Sequence, residues 1–94
     1  MRTGKEPAIY NKTMTLATTE YSQAIGSGIV KLSAKCRGFY PVQLAFKTGT
    51  SGTAYITIPA GGMWGEDNVD KIPSTIYFQC PTAAQVLEIL AWEA

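Results

Sequence analysis

The chain has 94 residues and not one histidine. That absence removes the commonest general base, the usual zinc ligand and the partner that activates a serine or cysteine nucleophile. Cysteine is scarce, with two residues, so a structural zinc site would have to borrow carboxylates. Charged side chains make up 16% of the chain, below the usual ~25%. A surface so sparsely charged points to part of it being covered in the working state. Neither sign of charge is in excess: eight Lys/Arg against seven Asp/Glu give a net charge of +1. A nucleic-acid footprint normally shows a clear basic surplus. No run approaches the ~18 apolar residues of a membrane-spanning helix. The first residues lack the apolar core of a secretory signal, so export is not expected. Much catalysis is excluded before any motif is read, and no enzyme activity, metal or cofactor is expected.

What is present is β-structure chemistry. Hydrophobic residues reach 46%, enough to build a core, and the length is that of one domain. The apolar pattern has period two, as in strands with one buried face. Residues 13–18 alternate Met14 and Leu16 with threonines. Residues 30–37 alternate Val30, Leu32, Ala34 and Cys36 with Lys31, Ser33, Lys35 and Arg37. Residues 42–47 do the same with Val42, Leu44 and Phe46. Residues 53–58, 74–80 and 86–92 complete the set. The last has Leu87, Ile89 and Ala91 on one face and Val86, Leu90 and Trp92 on the other, and reads as buried on both sides with Glu88 as the odd polar member. Residues 82–94 also carry a rival helical spacing, opened by Thr82 and Gln85 in the manner of a capping box. Gly26-Ser27-Gly28, the Thr48–Gly52 loop and Pro59-Ala60-Gly61-Gly62 supply turns between the runs. The fold predicted is all-β: a small antiparallel β-sandwich or jelly-roll-like barrel of about six to eight strands. Residues 13–94 form this domain, and residues 1–12 an extended N-terminal arm that orders only against something else.

Charge is unevenly placed along the chain. Residues 1–47 hold seven Lys/Arg and two Asp/Glu, a balance of +5, while residues 48–94 hold one Lys and five Asp/Glu, a balance of −4. Such polarity suits a subunit that packs against copies of itself, unless the strands interleave and average it out.

The candidate chemistry is thin. Cys36 and Cys80 sit in the apolar phase of their runs and read better as buried thiols than as a disulfide. Glu66, Asp67 and Asp70 read as an acidic turn, since their spacing departs from a calcium-loop pattern. Glu66 and Glu88 as a glycosidase pair have nothing to fix their separation. Lys31, Lys35, Arg37 and Lys47, on the polar phases of two strands read as neighbours, with Tyr40 and Tyr55 nearby, would give a basic aromatic surface for nucleic acid or else a solvated face. Met63 and Trp64, between glycines and acids, are either an interface anchor at a rim or a cap on the core.

Several stretches resemble small structural proteins of tailed bacteriophages. These are Ala17-Thr18-Thr19-Glu20-Tyr21-Ser22-Gln23-Ala24, Leu44-Ala45-Phe46, Ser51-Gly52-Thr53-Ala54-Tyr55-Ile56-Thr57-Ile58-Pro59, and Thr75-Ile76-Tyr77-Phe78-Gln79 with Pro81-Thr82-Ala83. It is a resemblance of texture across residues 17–92, carrying no assigned functional residue. It implies a virion component, foremost a head decoration or cement protein that stabilises the capsid by non-enzymatic binding. It also covers a collar, head-fibre or minor tail component engaged in assembly or host attachment. A small nucleic-acid-binding β-barrel is the alternative of another class. The resemblance implies a location in the virion after assembly in the host cytoplasm. It also implies the major capsid protein or neighbouring virion proteins as partners, homo-oligomers, and no membrane. Partner-binding residues on this reading are Arg2, Lys5, Ile9, Tyr10 and Lys12 of the arm, Lys31, Lys35 and Arg37 of the basic strand, and Met63 and Trp64.

Overall fold

The computed structural model describes residues 7–26, 28–67 and 74–93. Its eight strands are β1 (Ala8–Met14), β2 (Tyr21–Ala24), β3 (Ile29–Cys36), β4 (Val42–Ala45), β5 (Ile56–Ile58), β6 (Trp64–Asp67), β7 (Thr75–Gln79) and β8 (Gln85–Glu93). They form two four-stranded sheets, ordered β1-β8-β3-β6 and β2-β7-β4-β5, and every pairing is antiparallel. Successive strands switch sheets at almost every step, and this order is that of a jelly roll. The all-β expectation and the sandwich are therefore as predicted.

The core lies between the sheets. Leu32, Ala34 and Cys36 of β3 and Leu87, Ile89 and Ala91 of β8 face Val42 and Leu44 of β4, Ile58 of β5 and Ile76 and Phe78 of β7. Each set occupies every second position, so the sequence period maps directly onto one sheet face. One bulge disturbs it. The β3–β8 register shifts between Ile29 and Lys31, and this lets Ile29 turn inward one position out of phase, leaving Val30 half-buried. Cys36 and Cys80 are free thiols in this core, and Cys80 Sγ donates to the Pro41 carbonyl at 3.3 Å. Burial pushes the Cys80 thiol up from its ordinary range.

Several expectations change. Residues 46–47 and 53–55, read as strand, lie in the bends and turns between β4 and β5. Residues 8–12, assigned to a free arm, belong to β1 and pair with β8 from Ala8–Ala91 to Met14–Gln85. The inward phase there is Ala8, Tyr10, Lys12 and Met14, and the amphipathic Tyr10 and Lys12 hid the alternation. Residues 15–18, read as strand, form a turn instead, with Thr18 at φ 53°. Residues 65–67, read as the start of an acidic turn, belong with Trp64 to edge strand β6, paired against β3. Residues 82–94 hold no helix among their described members; β8 occupies Gln85–Glu93. Residues 1–6 and 68–73, with Arg2, Lys5 and Asp70, lie outside the described residues.

Turn chemistry behaves as read. Gly62 N–H donates to the Pro59 carbonyl at 2.9 Å, and Gly61 at the third position has φ 74°. That is the type II arrangement, which wants glycine there. The ring of Phe39 lies over Gly61, leaving no room for a Cβ there.

Candidate interaction surface

The outward face of the first sheet is built by register. Ile9 of β1 lies beside Leu90 of β8, Leu90 beside Ser33 of β3, and Ser33 beside Gly65 of β6. One row along, Asn11 lies beside Glu88 and Glu88 beside Lys35; in the other direction Trp92 lies beside Lys31. Ser33 and Gly65 are small, and larger side chains stand on either side of them. The result is a groove of about 450 Å³ whose walls include Ile9, Met63, Leu90 and Trp92, with Lys35, Arg37 and Glu88 at one end. Ile9 and Met63 are 67% and 65% exposed, so these two apolar side chains stand largely in water.

Glu88 organises the polar end. It accepts from Arg37 Nε at 2.8 Å and lies 3.7 Å from Lys35 Nζ. The Arg37 hydrogen bond, reinforced by both positive charges, holds its carboxyl below the ordinary glutamate range. Lys31 Nζ sits 4.6 Å above the Trp92 ring, a cation–π contact that fixes the indole at the other end.

The second sheet presents a different exterior. The loop between β4 and β5 folds onto it: Ser51 is buried, and Gly52 lies against the amide of the buried Gln79. The Glu20 carboxylate pins this loop by accepting from Gly49 N–H at 2.8 Å, Ser51 N–H at 3.0 Å and Ser51 Oγ at 2.5 Å. The Ser51 hydroxyl, then the two backbone donors, hold Glu20 below its ordinary range against the opposing effect of burial.

The sequence-predicted partner residues scatter. Ile9, Lys35, Arg37 and Met63 gather around the groove, with Lys31 beside it over Trp92. Tyr10 packs against the core, and Lys12 follows it in the same inward phase. Trp64 also packs on the core, its ring 5.8 Å from that of Phe46, so the capping reading describes its place. Lys47 is not beside Lys31, Lys35 and Arg37, because β3 and β4 lie in different sheets. Glu66 pairs with Leu32 and Glu88 with Lys35, positions of opposite phase on β3. Among the described residues no three of Cys, Asp and Glu converge as metal ligands would. Asn11, Ser33, Leu90 and Trp92 line the groove without having been singled out as binding residues. Two of them, Leu90 and Trp92, belong to the face of β8 expected to be buried; that face is only half-buried and lines the groove instead, because no described segment packs on it.

No family model, curated protein or solved structure matches this chain.

Proposed function

We propose that the protein is a structural component of a tailed-phage virion, foremost a head decoration protein that clamps capsid subunits without chemistry. The observation that carries this reading is the groove on the first sheet. There exposed Ile9 and Met63 stand beside a Glu88 that is paired with two cations. Apolar contact supplies adhesion there, and the charges set register and orientation on a neighbour. A jelly roll supplies a rigid platform, and viral capsid domains use the same architecture, a likeness of fold alone. The phage-like texture of residues 17–92 adds the virion context. Many weak copies on a lattice add up without any one contact being strong.

Glu88 also argues for a protein neighbour over nucleic acid, because it offsets two of the cations a phosphate backbone would need. Incubating the purified protein with empty shells that lack it, then counting bound copies, tests the proposal. Hundreds of copies per particle are expected from lattice symmetry, and Leu90→Asp should strip them. Tens or fewer would move the protein to a collar or tail. No binding to any virion part, together with salt-sensitive binding to single-stranded DNA, would overturn the reading.

A further inference from the structure

A four-stranded sheet has two edges, so this sandwich has four: β1, β6, β2 and β5. Edges invite pairing with another strand, and proteins blunt them by shortness, proline, bulges or charge. Three of the four are blunted. β6 has four residues and ends in Glu66-Asp67. β2 has four residues. β5 has three and runs straight into Pro59. β1 is the least protected. It is the longest of the four at seven residues, Pro7 precedes it and proline and glycine are absent within it, its single charge is Lys12, and its register with β8 is unbroken from end to end. No described strand covers its other side.

We infer that β1 is a self-association edge, pairing antiparallel with β1 of a second copy to give one continuous eight-stranded sheet across two protomers. The strand is self-complementary in a way that favours its own copy. Faces must match, so outward Ile9, Asn11 and Thr13 have to meet outward residues of the second copy. Centring the two-fold on Asn11 achieves this. Asn11 then meets Asn11, Ile9 meets Thr13, and Tyr10 meets Lys12. The first is an amide pair, the second brings two β-branched side chains together, and the third sets an ammonium beside an aromatic ring. The one charge on the strand never meets itself. Exposed Ile9 lies at this edge, and pairing carries the outward face of the first sheet across the two-fold, joining the grooves of both copies on one surface.

The test needs only the purified protein, so its outcome is independent of any capsid. Sedimentation should give the mass of two chains at concentrations up to about 100 µM, a range in which a modest edge contact is occupied. Asn11→Cys should cross-link into a covalent dimer under mild oxidation, because residues opposite each other across antiparallel strands lie within disulfide reach. Thr57→Cys on the β5 edge should not. Asn11→Lys sets two ammonium groups face to face and should raise the dissociation constant about tenfold. An equimolar mixture with Asn11→Asp should restore pairing, a rescue that a folding defect cannot mimic. A monomer throughout the concentration range would overturn the inference. So would a dimer in which Asn11→Cys cross-links no better than Thr57→Cys.

Discussion

The two sheets share one core and carry opposite exteriors. On the second sheet, the outward Gln79 and Ala45 are buried, with the Lys47–Gly52 loop folded over the sheet and tied down by Glu20. On the first, Ile9 and Met63 stand in water around a groove, and no described segment lies over them. One exterior is thus partly covered by the protein's own chain, and the other has no described segment over its groove. The covered exterior contributes to holding the fold, and the bare one is the face that the proposed function assigns to a neighbour. An uncovered apolar groove rimmed by charge is the usual mark of an interaction site.

The sharpest way to break this comparison is to cut the shared interior and the bare face separately. Phe78→Ala empties the centre of the core, where the ring is fully buried, and should cost about 3–5 kcal/mol, read by urea melts. Leu90→Asp on the bare face should abolish shell binding while lowering stability far less than Phe78→Ala. If both changes unfold the protein equally, the two faces are not distinct in role.

Next in size is the loop on the covered sheet. Ser51→Ala removes a buried hydroxyl that donates to Glu20 and should cost about 1–2 kcal/mol. The loop also gives a pH signature. The Glu20 pKa is lower folded than unfolded. Its contribution is therefore fully present above the ordinary glutamate range and is lost as pH falls through the depressed folded value. Melting temperature against pH should show this acid-side decline, and Ser51→Ala should shrink it, since that hydroxyl is the largest cause of the shift.

The charges of the bare face should behave otherwise. Glu88 is also held low, by Arg37, but it sits in solvent, where ion pairs add little to stability. Glu88→Gln should leave the melting temperature nearly unchanged and alter shell binding and its salt dependence instead. The smallest effect belongs to backbone strain. Ala84 holds φ 60°, where its N–H donates to the Met14 carbonyl at 2.9 Å. Ala84→Gly should relieve this and raise stability by up to about 1 kcal/mol in the same urea melts.

The bare face explains why the charge polarity of the sequence misleads. Basic residues crowd the first half and acidic ones the second, yet β3 and β8 lie side by side, so Lys35 and Arg37 meet Glu88 within one sheet. The polarity becomes an internal ion-pair cluster rather than two oppositely charged faces. The strands the sequence hid are also instructive. β1, β2 and β6 are edges, and edge strands need fewer apolar residues because one flank and one face are wet. Tyr10 and Lys12 thus hold inward positions without announcing a strand.

Period-two alternation was enough to determine an all-β chain with Leu32, Ala34, Leu44, Ile76 and Phe78 inside, because a pleated backbone sends alternate side chains to opposite faces whatever the strand's neighbours are; which face of residues 86–92 turns inward was left to the sheet packing. It could not say which strands would be neighbours. Residues 37 and 88 stand far apart in the chain and carry no local sign of each other. Only sheet order brings them together, and with them Ile9, Met63 and Trp92 around one groove, since strand pairing is settled by long-range packing and not by any short stretch of sequence.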